Sequence, residues 1–340
     1  MRTRMILTYL ALIALICGGV PLGIHHVEAA EKAETKANLQ FATASATGNW
    51  FSMGALIAEA TNEYFTTSPV TASPAPGSLG NPAIVSVGEA DLGMSYGSFL
   101  VMAQNGEDPF DRPMPNLRAV ASLSPTLIHV WCTRALAEDG KNTLSDLVIG
   151  KKKMVFGAMS AGKGSYFVAR QMFNALGVGR LEDIGAWGAK MYYADGSDLV
   201  NAWKDRQVDA VMNLLNAPDS LVEDALISRE GRLIDLGDEL SKVLSEKYGF
   251  LPYVIPTGTY SKQDYDVKTL GLPLVIFARD DVDADVIYYM CKAIYENIEA
   301  LRKSSGAFAE VDVSQLHLGG GVPLHEGAAR YYREAGLLSK

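Results

Sequence analysis

The sequence predicts an α/β chain folded into discontinuous domains. Short apolar, β-branched runs alternate with helix-period segments from residue 39 to the end, the pattern of strands and crossover helices in mostly parallel sheets. The chain has 340 residues, 48% apolar and 20% charged, an ordinary globular balance with length enough for two modest cores. No linker cleanly halves it, so strands are expected to cross between the domains more than once.

The elements follow in order. Arg2 and Arg4 precede an apolar run over residues 5–20, and small residues stand near Ala29. Basic start, short apolar stretch and a Val27-x-Ala29 site make residues 1–29 an export signal cleaved near Ala29, and 30–37 the tail of the mature chain. The run is shorter than the ~20 residues of a membrane span. A lipid attachment at Cys17 is disfavoured by bulky Ile16 before it. The expected location is therefore the periplasm. "LQFATAS" reads as a strand, and from Ser52 a helix places Met53, Leu56, Ile57 and Ala60 on one face. "SPVTASPAPGS" is a strand and loop, "NPAIVSVGEAD" a helix, "DLGMSYG" a strand. "LIHVWCTR" is a strong strand and "TLSDLVIGKK" a short helix. "KMVFGA" leads through a glycine loop into a helix with Val168, Met172, Ala175 and Leu176 on one face and Gly177 at its end. "KMYYAD", "SDLVNAWKDRQ" and "VDAVMNLLNAP" continue as strand, helix, strand. "RLIDLG", a helix near 238–248, "LPYVIP", "GLPLVIFA", one long helix over 283–303 and a last helix in "PLHEGAARYYREAGLL" complete the chain.

Several function classes are excluded. The net charge is −9, without a basic stripe, which repels nucleic acid. Gly157, Gly162 and Lys163 spell most of a phosphate loop, but Gly164 stands where the motif needs the hydroxyl that holds Mg²⁺. No G-x-S-x-G occurs, and His129, His317 and His325 bring no metal-ligand spacing. His129, inside an apolar strand, reads as a core or hinge histidine. Asp280, Asp281, Asp283 and Asp285 read as a solvated helix start. Cys132 and Cys291 read as two separate buried thiols. The expectation is a non-enzyme with no cofactor and no metal.

One feature recurs. "TASATGNWFSMG", "SPAPGSLGNPA" and "SAGKGSYF" each carry a strand through a Gly/Ser/Thr loop to a helix start, where free N–H groups suit carboxylate or phosphate. A lone Ser or Thr there is more often only a cap. Three in one exported chain favour an anion site.

These stretches carry a resemblance. "FATASATGNWFSMG", "GSLGNPAIVSVGEADLGMSYG", "LRAVASLSPTLIHVW", "IPTGTYSKQDYDVKTLGLPLVIFARDDVDADVIYYMCKAIYEN" and "PLHEGAARYYREAG" resemble the TAXI family, solute-binding subunits of TRAP transporters, over nearly all of residues 39–340. The resemblance implies a type II periplasmic-binding-protein fold: two lobes, a central ligand cleft and two crossing strands. One lobe would hold 38–128 and 279–340, the other 129–278. It implies delivery of a small carboxylate or amino-acid-like anion to a permease driven by an ion gradient; a monomer is the expected state. A ligand sensor signalling through a membrane partner is the alternative. The expected ligand contacts are Thr47, Gly48, Asn49, Trp50, Ser78 and Tyr96 from one lobe, and Gly162, Lys163, Gly164, Ser165, Asn213 and Asn216 from the other. Lys163 would pair with a carboxylate, and Trp50 and Tyr96 would wall the carbon chain. Thr47-Gly48, Gly162-Lys163-Gly164-Ser165, Tyr96 and Asn216 depart from the family's Gly-Gly, G-S-G-T, Gln and Gly, so the ligand's identity does not carry over.

Overall fold

A computed structural model of the chain describes residues 32–46 and 48–339. The expected export signal therefore lies outside the described residues. The elements run β1 (Leu39–Ala42), α1 (Asn49–Asn62), β2 (Val70–Ser73), α2 (Asn81–Ser86), β3 (Leu92–Tyr96), α3 (Gly97–Asn105), β4 (Leu117–Thr133), α4 (Arg134–Ala137) and α5 (Leu144–Ile149). There follow β5 (Val155–Ala158), α6 (Gly164–Ala175), β6 (Lys190–Tyr193), α7 (Gly196–Lys204), β7 (Ala210–Leu215), α8 (Ser220–Ser228), β8 (Gly231–Leu233), α9 (Asp238–Tyr248) and β9 (Leu251–Ile255). Last come β10 (Val267–Arg279), α10 (Ala284–Glu296), α11 (Ile298–Ser304) and α12 (Glu326–Glu334).

The strands form one curled sheet in the order β2-β1-β3-β10-β4-β7-β5-β6, with β8 on β4 and β9 on β10. The fold is a two-lobed α/β fold with crossing strands. In the first lobe β2, β1 and β3 pair in parallel, and in the second β7, β5 and β6 do. β4 and β10 run antiparallel to each other and to their neighbours. The expected mostly parallel sheet is thus correct within each lobe and fails where the chain crosses. A chain that leaves a lobe and returns must run back beside itself.

The crossing has a visible weak point. Pro125 of β4 stands opposite Pro273 of β10, and the register slips between Pro273 and Val275. Proline has no N–H to give the ladder, so two facing prolines thin the hydrogen bonding where the strands pass between lobes. Farther along β4, His129 is fully buried. Its Nδ1 lies 3.2 Å from the Leu127 carbonyl and its Nε2 2.8 Å from the Tyr260 hydroxyl. Burial pushes the imidazole down to about 4, against the opposing pull of the Leu127 carbonyl, so it is neutral at pH 7. It is the satisfied core histidine its sequence setting suggested.

Several elements differ from expectation, among them α4 and α8, which the sequence reading does not contain. The long helix over 283–303 is two helices, because Asn297 (φ −105°, ψ 15°) breaks it and its side chain bonds back to the Ala293 carbonyl at 3.0 Å. α3 was not anticipated. Its Gly-Ser start lacks a helical signature, but Phe99, Leu100, Met102 and Ala103 bury its inner face against the sheet. Of the four aspartates read as a solvated helix start, Asp283 caps α10 through the Asp285 N–H. The other three pair with arginines: Asp280 with Arg118, Asp281 with Arg279, Asp285 with Arg330. Cys132 and Cys291 are buried, separate thiols.

Candidate functional site

In the first lobe β1, β2 and β3 all deliver loops to one end of the sheet. Gly77 takes φ +88°, a left-handed conformation open to glycine and strained for other residues, and so turns the chain into Ser78. Asn81 then fixes the junction. It is fully buried, and its Nδ2 donates to the carbonyls of Ala42, Thr43 and Met94 at 3.1, 2.7 and 2.9 Å. Its Oδ1 accepts the Gly77 N–H at 3.0 Å. One amide thereby ties the ends of β1 and β3 to the Gly77 turn. Ser95 Oγ adds a 2.6 Å bond to the Ser78 carbonyl.

Tyr96 ends β3 and is buried, which pushes its phenol up to about 12; the Thr126 side chain of the crossing strand opposes the shift. Trp50, half-buried near the start of α1, meets it edge-on at 5.3 Å between ring centroids. Gly48 caps α1 from an extended conformation, Asn49 is exposed, and Thr47 lies outside the described residues.

The second lobe repeats the turn with different fastenings. Gly162 also sits at φ +88° and is exposed. Lys163 caps α6, and the first N–H groups of that helix, from Gly164 on, have no acceptor within it. Ser165 Oγ donates to Asn213 Oδ1 at 3.0 Å and accepts the Leu214 N–H at 3.3 Å, joining the helix start to the end of β7. Asn216 is half-buried one residue past β7. The Lys163 ammonium stands 3.7 Å from the Asp195 carboxylate, and both side chains are about half exposed. Hydrogen bonds from Ser160, with Lys163 nearby, hold Asp195 below the usual carboxylate range.

The two turns meet. A Cβ placed on Gly164 would lie 2.6 Å from Ser78 Oγ, 3.3 Å from the Phe99 ring and 3.4 Å from the Tyr96 ring. Beside them α3 packs on α6: Phe99 and Phe167 stack edge-on at 5.4 Å, and Asp108 pairs with Arg170. The structure thus gathers Trp50, Ser78, Tyr96 and Gly164 at one place, with Ser165 and Asn213 behind Gly164. Gly162 and Lys163 lie on the outer rim of the turn. Sequence reading missed Asn81, Phe99 and Asp195. Only Asn81, beside Gly80 and Pro82 at a helix start, gave any local signal. Asp195 belongs to a turn after β6, and nothing in its sequence neighbourhood ties it to Lys163.

Among the described residues no group of His, Cys, Asp and Glu is placed to hold a metal ion. No helix among them is long and apolar enough to cross a membrane. What the arrangement offers is backbone N–H groups, small hydroxyls, an amide, aromatic faces and one lysine paired with a carboxylate.

Two lobes, crossing strands and facing loops define the architecture of periplasmic solute-binding proteins. Residues 41–336 match the NMT1-like family, and the chain belongs to it. The fold is shared with a TctC solute-binding protein from Polaromonas, at 12% identity over 90% of this chain and 99% of that one, with a TM-score of 0.53. It is shared with MatC from Rhodopseudomonas palustris, solved with bound malate, at 14% identity over 89% and 99%, with a TM-score of 0.51.

Proposed function

We propose that the chain is an extracytoplasmic receptor that holds a small organic anion between its lobes and hands it to an ion-gradient-driven TRAP permease, as the TAXI resemblance implies. The division into 38–128 with 279–340 against 129–278 belongs to this reading, as do export after Ala29 and a monomeric state. The observation that carries it is the approach of Gly164 to Ser78. Two glycine turns, one from each lobe, face each other with free N–H groups at the α6 start, as a carboxylate requires. Trp50 and Tyr96 line the carbon chain, and Gly48 and Asn49 border it. Ser165, Asn213 and Asn216 form the far wall. Lys163 supplies charge at the rim by exchanging Asp195 for the ligand. The malate bound to MatC is a small dicarboxylate, and that chemical class fits here. Ligand would shift an open–closed equilibrium about the Pro125–Pro273 crossing.

A thermal-shift screen of small carboxylates and amino acids tests this. At least one acid should raise the melting temperature by several degrees and remain chemically unchanged. Turnover of the stabilising compound would replace the receptor by an enzyme, and stabilisation by no anion would remove the ligand class.

A further inference from the structure

A cavity of about 700 Å³ lies away from the glycine turns and shares no residue with the twelve assigned to the ligand. Its floor is the crossing itself, with Leu123, Pro125 and Pro273. One wall is first-lobe, the face of α3 carrying Ser98, Val101 and Met102, closed by the 3-10 segment over residues 313–321. The other is second-lobe, from Tyr248 at the end of α9 to Leu251 and Tyr253 of β9. That volume suits a small molecule.

The lining defines the occupant. Leu251, Tyr253 and Leu318 border the cavity with 48%, 38% and 55% of their surface exposed, an apolar rim that water covers at a cost. Inside, Ser98 is 94% buried, and its hydroxyl has no hydrogen-bond partner among the described residues. That hydroxyl is closed to solvent, so the cavity presents the apolar side of α3. Around the mouth stand Glu107, Glu246 and Lys247, so carboxylates outnumber the ammonium. An anion of the kind proposed for the cleft is repelled here.

We propose that this hinge cavity is a second ligand site, for a small, mainly apolar molecule with no negative charge. Because its walls belong to both lobes and its floor is the Pro125–Pro273 crossing, an occupant braces the lobes in the arrangement described. The site does not depend on the identity of the cleft ligand.

The test is titration of the mature chain with N-phenyl-1-naphthylamine, a neutral probe that fluoresces in apolar surroundings. Saturable 1:1 binding is expected, displaced by decyltrimethylammonium at least tenfold more effectively than by decanoate. Val101→Trp fills the cavity and should weaken probe binding at least tenfold. Leu318→Glu, at an exposed rim position that does not threaten folding, should weaken it as well. Glu107→Gln with Glu246→Gln should erase the preference for the ammonium over the carboxylate. Non-saturable binding, binding unchanged in both Leu318→Glu and a folded Val101→Trp, or equal displacement by the two amphiphiles would overturn the assignment.

Discussion

The two lobes build the same glycine turn and fasten it differently. In the first lobe a fully buried Asn81 locks the turn with four hydrogen bonds to backbone groups of β1, β3 and the turn itself. In the second lobe the helix start hangs on one small hydroxyl, Ser165, and its outer edge is an exposed Lys163 facing Asp195. The first arrangement fixes backbone donors and acceptors where they stand. The second leaves charge and chain free to rearrange. A receptor that binds in one lobe and closes with the other needs that asymmetry, since a docking surface gains from preorganisation and a closing surface must adapt.

The largest test of this difference is Asn81→Ala. It leaves several buried backbone groups without partners and should cost about 3 kcal/mol, read from the urea midpoint. A loss below about 1 kcal/mol would show the first-lobe turn to be as loosely held as the second.

Next comes acidity at the crossing. The His129 pKa is lowered by folding, so below its ordinary value the unfolded chain binds a proton that the folded chain refuses. Stability is therefore full above about pH 6.5 and falls as the pH drops toward about 4, by on the order of 3 kcal/mol. Denaturation curves across that window should show the loss. His129→Leu should show a shallower one; matching slopes would place the acid sensitivity elsewhere in the lobes.

Ser165→Ala should cost about 1 kcal/mol, because it removes one hydroxyl from a buried triangle with Asn213 and the Leu214 N–H. A cost equal to that of Asn81→Ala would erase the contrast between the lobes. The smallest effect is expected for Lys163→Ala. Its ion pair is half exposed, so stability should change by no more than about 0.5 kcal/mol. Anion affinity should still fall and lose salt dependence. Unchanged affinity would confine Lys163 to its pairing with Asp195.

Much of this fold is legible in the sequence because its signals are local. The strand runs around Phe41, Met94, Phe156 and Met212 are short and apolar, and each glycine turn announces itself before its helix. What the sequence hides is long-range. The break at Asn297 competes with an otherwise unbroken helical pattern through 283–303. The mixed sheet follows from pairing β4 with β10, elements separated by more than a hundred residues. Lys163 is visible, but its partner Asp195 is not, because only the turn after β6 brings them together. The hinge cavity is invisible for the same reason, since Val101, Pro125, Tyr253 and Leu318 belong to four separate elements.

The central claim is that a ligand is held where the Ser78 and Gly164 turns face each other. Gly164→Val tests it most directly, because the added side chain would push the two turns apart, since even a Cβ comes within 2.6 Å of Ser78 Oγ. Calorimetric titration with the acid that gives the largest thermal shift should show affinity at least tenfold weaker in the variant, once circular dichroism has shown the variant folded. Equal affinity in the two proteins would contradict the account and place the ligand elsewhere.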